Sequence, residues 1–244
     1  MPAVELEHDG PVAIVRLTRP DVLNAMNPAL LEELVTALRS AMQARVVILE
    51  GEGRAFCVGE DLNESLGAGA DELRESFDRL QDLTRLLTQG PAVAIAAVHG
   101  YAIGGGAELA LAADLIVLQE QTRLRFPEVS LGHAVTGGIS ARLVAAIGLI
   151  RAKELLLTSR WVEAEEALRI GLVNAVVPDA GAGARELAQQ LAAHPPRSLR
   201  ATKTGLERAA LPHQEVVLAA EVDAALHCFA DPAATASLDA FRNR

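Results

Sequence analysis

Glu108 stands alone among alanines and leucines in YAIGGGAELALAAD, directly after Gly104, Gly105 and Gly106. A carboxylate on so apolar a stretch is costly to bury without a partner, so its presence asks for a chemical reason. The triplet falls where a strand ending near His99 gives way to a helix expected from Glu108 to about Ala113. The opening of a helix carries unpaired N–H groups, and glycine lets a ligand approach that backbone closely. An oxyanion against the Gly105 N–H would be stabilised there as in acyl chemistry. Glu108 lies three residues further on, on the same helical face, which sets a general acid or base beside developing negative charge. The bland alternative is a first-turn glutamate favoured by the helix dipole alone.

A second carboxylate sharpens the question. FPEVSLG places Glu128 after a proline and inside another apolar strip. Taken alone it reads as a surface loop residue. Taken with Glu108, it suggests a pair of carboxylates sharing a proton, their environments splitting one into base and the other into acid. Other chemistries fail at the residue level. Gly100 and Gly105 have the spacing that begins a P-loop, but Gly106 stands where lysine is needed, and Leu109 ends the triplet's chance of G-x-G-x-x-G. There is no G-x-S-x-G elbow. The six histidines are scattered without ligand spacing, so no metal site is expected. His99 and His133 lie near these segments, and packing roles are the simpler reading for both.

The elements that must carry these residues alternate. VAIVRL (Val12 to Leu17), VVILEGE from Val46, VAIAAVHG from Val93 and DLIVL (Asp114 to Leu118) read as strands. Between the first two, Asn27 and Pro28 make a cap and first-turn pair, followed by Leu30, Leu34, Leu38 and Met42 at helical spacing. Leu73, Phe77, Leu80 and Leu87 repeat the pattern in the next connection. Strands separated by helices imply an α/β fold with mainly parallel pairing. From about Ala180 the chain turns almost wholly helical, with breaks at His194-Pro195-Pro196, Leu211-Pro212 and Asp231-Pro232. Residues 1–180 are therefore expected to form the core, and 181–244 a helical extension packed on it.

Net charge and cysteines narrow the field further. A net charge of −10 with dispersed Lys and Arg excludes a nucleic-acid or anionic-membrane surface. Cys57 and Cys228 are too few for a disulfide framework. MPAVELEHDG has no apolar secretory core. The long apolar run from Ala92 to Leu118 is broken by His99, the glycines, Glu108 and Asp114, so it reads as a buried strand and helix rather than a membrane span. A cytoplasmic protein without membrane contact is expected.

Together, RPDVLNAMN, AFCVGEDL, HGYAIGGGAELALAADL, FPEVSLG, TGGISARL and LTSRWVEAEEALRIGLVNAVVP resemble the crotonase family of enoyl-CoA hydratases and isomerases. The resemblance runs in order from about residue 10 to 180 and fades over the tail, where the Lys203 segment and LDAF still echo it. It implies a spiral of ββα units with a C-terminal helical region that closes the site and assembles a homotrimer or a dimer of trimers. It implies an acyl-CoA thioester as partner, no cofactor beyond the coenzyme A of the substrate, and no metal. By motif position the acids are Glu108 and Glu128, twenty residues apart as in the family's hydratases, and the oxyanion hole is the N–H groups of Val58 and Gly105. Substrate contact is implied at Cys57, Gly59, Asp61, Leu62, Gly104, Gly106 and His133. Having both acids favours hydration across C2=C3 or its reverse. A double-bond isomerase and a non-catalytic acyl-CoA binder are the alternatives. Glu60 departs from the family, standing where a small residue is common.

Overall fold

The computed structural model describes residues 2–61 and 69–242. Its main sheet has six strands in the order β1 (Val4–Asp9), β2 (Val12–Leu17), β3 (Val46–Gly51), β4 (Val93–Val98), β6 (Leu115–Gln119) and β9 (Ala175–Val177). Only β1 and β2 are antiparallel; the remaining neighbours run parallel. The four expected Val/Ile strands are all present. The N-terminal strand β1 was not read from the sequence, because half of VELEHD is acidic and only its alternate residues turn inward.

Both faces of the sheet are covered, as parallel strands require. Val47 and Leu49 of β3 point into the larger core, which is closed by α1 (Pro28–Ala41) and α2 (Ala70–Gln89). Asn27 caps α1 by accepting from the Leu30 N–H at 2.9 Å. Val46 and Ile48 point the other way, against α7 (Ala180–Ala192), whose Ala180, Ala184, Ala188 and Ala192 form a stripe at helical spacing. Small side chains let that helix lie close to the strands. The first tail helix thus packs as a layer against the sheet. Next along the chain, α8 (Pro196–Ala210) is tied to the sheet by buried Lys203, whose Nζ lies 2.7 Å from Asp114 Oδ2. The last helices are α9 (Gln214–Phe229) and α10 (Pro232–Arg242), and the breaks between tail helices fall at the prolines. No helix among the described residues is long and apolar enough to cross a membrane.

A second, three-stranded sheet, β5 (Tyr101–Ile103), β7 (Arg123–Arg125) and β8 (Trp161–Glu163), leads directly into the glycine triplet and into Glu128.

Candidate active site

The helix after the triplet, α3, spans Gly105–Leu111 and so begins three residues before the expected start. Glycine is a poor helix former, but packing decides here. A Cβ on Gly106 would lie 2.2 Å from the Cys57 carbonyl oxygen, so only glycine lets the helix meet the strand-like segment 55–57. That segment runs beside β5: Cys57 donates its N–H to Tyr101 and its carbonyl accepts from Ile103 at 3.0 Å. Glu108 emerges one turn later with 3% of its surface exposed. Thr136 grips it twice, the N–H donating to Oε1 at 2.9 Å and the hydroxyl to Oε2 at 2.6 Å.

Glu108 and Glu128 share the wall of one cavity of about 500 Å3, as expected from the sequence. Burial pushes the Glu108 carboxyl well above its ordinary range, and the Glu128 charge pushes it further, while the Thr136 donors pull it back. Burial raises Glu128 to about 7; the Glu60 charge adds to that and Arg125 opposes it. Burial likewise brings Glu60 to about 7. Three acids of raised proton affinity therefore face one hollow, and such groups cluster at functional sites.

These groups also set a pH dependence of stability. A carboxyl whose proton affinity is higher folded than unfolded makes the native state bind the extra proton. Its stabilisation is full below the unfolded value near 4.5 and is lost as pH rises through about 7. Glu128→Gln should therefore flatten the fall in unfolding temperature between those limits and melt higher than the parent at pH 8. A Glu128→Gln protein that melts lower at pH 8 would show that the carboxylate is not destabilising where it sits.

The directions of the main-chain amides near Gly105 are set by the hydrogen bonds of their neighbours. All peptides among the described residues are trans, so an N–H points opposite the carbonyl of the preceding residue. The Cys57 carbonyl faces Ile103 on β5, which turns the Val58 N–H away from the strand that leads to Gly105. Two residues on, the Gly59 carbonyl accepts from the Met26 N–H at 2.8 Å, which frees the Glu60 N–H on the opposite side. The Gly59 Cα lies 3.8 Å from where a side chain on Gly105 would begin. Among the described residues neither the Glu60 nor the Gly105 N–H meets an acceptor. Val58 also lines the cavity, and among the described residues its N–H too meets no acceptor.

Of the other expected contacts, Gly59, Asp61, Gly104 and His133 line the cavity. Cys57 and Gly106 do not: they pack against each other beneath it, and burial lifts the Cys57 thiol to about 12, leaving it inert. Leu62 lies outside the described residues. His133 packs against Phe229 with ring centroids 4.0 Å apart and the planes tilted by 45°, and burial lowers it to about 4, so it is a neutral ring. Its packing role agrees with the simpler reading.

The relatives share this constellation's fold. Residues 7–244 match the family described as enoyl-CoA hydratase/isomerase. A short-chain-enoyl-CoA hydratase of Clostridium acetobutylicum is 34% identical over 93% of this chain and 89% of its own length. The 2,3-dehydroadipyl-CoA hydratase of Escherichia coli is 36% identical over 86% of this chain and 82% of its own. The crystal structure of an enoyl-CoA hydratase from Mycobacterium avium subsp. paratuberculosis superposes with a TM-score of 0.91 at 27% identity, covering 99% of this chain and 96% of that one. The chain belongs to the enoyl-CoA hydratase/isomerase family. As a crotonase-fold member it carries features that sequence reasoning passed over. Thr136 was not singled out, although a threonine three residues after His133 in a glycine-flanked turn is a natural carboxylate donor. Arg125 was also passed over; its guanidinium lies 5.4 Å from the Trp161 ring centroid and its Nε donates to the Ser159 carbonyl at 2.7 Å. Phe229, from α9, brings the C-terminal region onto the cavity wall.

Proposed function

We propose that this crotonase adds water across the C2=C3 bond of an enoyl-CoA, or removes it from a 3-hydroxyacyl-CoA, through a thioester enolate. The observation that carries the reading is the meeting of Glu108 and Glu128 on one cavity, beside unbonded main-chain N–H groups of Gly105 and Glu60. Those two amides would hold the thioester oxygen as negative charge develops on it. This assigns to Glu60 the main-chain role that the sequence suggested for Val58.

The two acids act as a pair that shares a proton across neutral pH. Thr136 donates to both oxygens of Glu108 and so favours the ionised form there. Among the described residues no side chain donates to Glu128, so on these donors the reading gives it the shared proton, although burial raises both acids and the Glu128 charge, when present, raises Glu108 further. Glu108 then activates the water that attacks C3, and Glu128 delivers its proton to C2. In the reverse direction the same groups exchange roles. The reaction uses no metal and no redox cofactor, because charge is held by amides and protons move between carboxyls; coenzyme A enters as part of the substrate. A cytoplasmic location is compatible with an acyl-CoA substrate. Assembly as a homotrimer or dimer of trimers is what the family resemblance implies, and exposed Leu149, Ile150 and Leu157 on α5 (Leu149–Thr158) offer apolar surface for it.

A panel of 2-enoyl and 3-enoyl-CoA thioesters of varied length and branching tests the reading by absorbance of the conjugated thioester. Hydration removes that absorbance from at least one 2-enoyl substrate. Gain of absorbance from 3-enoyl substrates alone would make the protein an isomerase instead. Calorimetric binding of acyl-CoA with no turnover on any panel member would make it a non-catalytic binder.

A further inference from the structure

Glu221 lies on α9, more than a hundred residues from Glu108 in sequence, and is 5% exposed. It is a buried acid that the proposed reaction does not use. Its carboxylate is nonetheless fully occupied: Oε2 accepts from the Gly138 N–H at 2.7 Å, and Oε1 accepts from the Ser140 N–H at 2.9 Å and the Ser140 hydroxyl at 2.6 Å. A carboxylate that collects several N–H and O–H donors in a buried place holds those donors in one geometry.

The donors belong to the turn that holds Glu108. Within five residues, Thr136 gives its N–H and hydroxyl to Glu108, while Gly138 and Ser140 give theirs to Glu221. Between them Gly137 packs flat on Glu108, where an added Cβ would stand 3.0 Å from the Glu108 Cβ and 3.2 Å from Oε2. Its carbonyl is fixed from a third side by the Thr84 hydroxyl of α2 at 3.1 Å. One short turn thus joins two carboxylates, one facing the cavity and one behind it.

The geometry points to Glu221 as the positioning residue for Glu108, acting through the Thr136–Ser140 turn. It does not touch the substrate. It anchors the start of α4 (Ile139–Ile147), so the two Thr136 donors stay aimed at the Glu108 oxygens when the cavity empties and fills. The α9 helix, which also places Phe229 on the cavity wall, is then coupled to the reacting acid by hydrogen bonds as well as by packing. The groups facing Glu108 are Glu128 from the segment after β7, Thr136 from the turn and Glu221 from α9. Loosening the turn while keeping the Glu221 charge weakens the Thr136 bonds alone, and those bonds hold the proton affinity of Glu108 down. Its titration must then move upward.

The inference rests on the hydratase reading for its kinetic arm only. Glu221→Asp keeps the charge and withdraws the carboxylate by one methylene; Ser140→Ala removes one donor and leaves the carboxylate in place. Either variant should lower kcat by roughly 10- to 100-fold with KM little changed, as small displacements of a reacting group do. The 13C-labelled Glu108 carboxyl, assigned by its loss in Glu108→Gln, should titrate at higher pH by NMR in both. Combining Glu221→Asp with Thr136→Val should slow the enzyme no more than the worse single change, because both act on one contact. A folded Glu221→Asp or Ser140→Ala protein with unmoved Glu108 titration and parental kcat would overturn the inference. So would multiplicative effects in the double variant. If Glu221→Asp does not fold, Ser140→Ala alone decides. If the parent hydrates no enoyl-CoA, the functional reading falls, and the titration, which needs no turnover, still judges Glu221.

Discussion

Glu108→Gln is expected to lower the hydration rate constant by about 10²- to 10⁴-fold, the range that a positioned general base contributes. Binding of the acyl-CoA should stay within roughly threefold, since an interaction made only in the transition state leaves KM alone. Glutamine keeps the shape and can still accept from Thr136 through its carbonyl oxygen, but its amide cannot take a proton from water. Glu128→Gln should be as slow in turnover and different in partial reactions. A saturated acyl-CoA exchanges its C2 proton with deuterated solvent only if a carboxyl reaches C2 while the Gly105 and Glu60 amides hold the enolate. Exchange should survive in Glu108→Gln and vanish in Glu128→Gln. Near-parental turnover in either variant would remove the assignment of that acid. Exchange lost in Glu108→Gln but kept in Glu128→Gln would swap the two roles.

Glu108 was readable because a lone glutamate in an alanine- and leucine-rich run is a local anomaly, whereas Glu128, a surface loop residue on its own, became a candidate only beside it. Strands β2, β3, β4 and β6 were readable for a similar reason, as runs of Val and Ile bounded by breakers. The three-residue strands β5, β7, β8 and β9 were not, since no periodicity shows in so short a stretch, yet β5 and β7 aim Gly105 and Glu128. The true start of α3 at Gly105 was hidden by glycine's poor helix propensity, which the contact of Gly106 with Cys57 overrides. Which of the Val58 and Glu60 amides turns towards Gly105 was not legible for a non-local reason. Which way a peptide N–H points depends on the carbonyl behind it, and those carbonyls are engaged by Ile103 and Met26 from elsewhere in the chain. Glu221 was out of reach altogether. On α9 it is one acid among several, and only the folded turn from Thr136 to Ser140 ties it to Glu108.

Lys203→Met is expected to cost about 3–5 kcal/mol of stability, the scale for removing one partner of a buried ion pair. Lys203 is 6% exposed, and its ammonium satisfies three acceptors at once: Asp114 Oδ2, the Leu87 carbonyl, and the Ala92 carbonyl at 2.7 Å. Methionine fills the space of the stem but donates nothing, so a carboxylate and two carbonyls lose their donor together. Among the described residues Asp114 keeps only the Ala94 N–H, at 2.7 Å. Burial already raises Asp114, and Lys203 is the main influence holding it down, so without the lysine its proton affinity climbs further. The folded variant then gains a proton that the unfolded chain lacks, and its deficit should shrink as pH falls towards the ordinary aspartate range. Urea unfolding at pH 7.5 and pH 5 measures both effects. Adding Asp114→Asn to Lys203→Met should recover part of the loss, because an amide is less costly to bury unpaired than a charge. A loss under about 1 kcal/mol at pH 7.5, the scale of an exposed pair, would mean that α8 is held to the sheet by its apolar contacts alone.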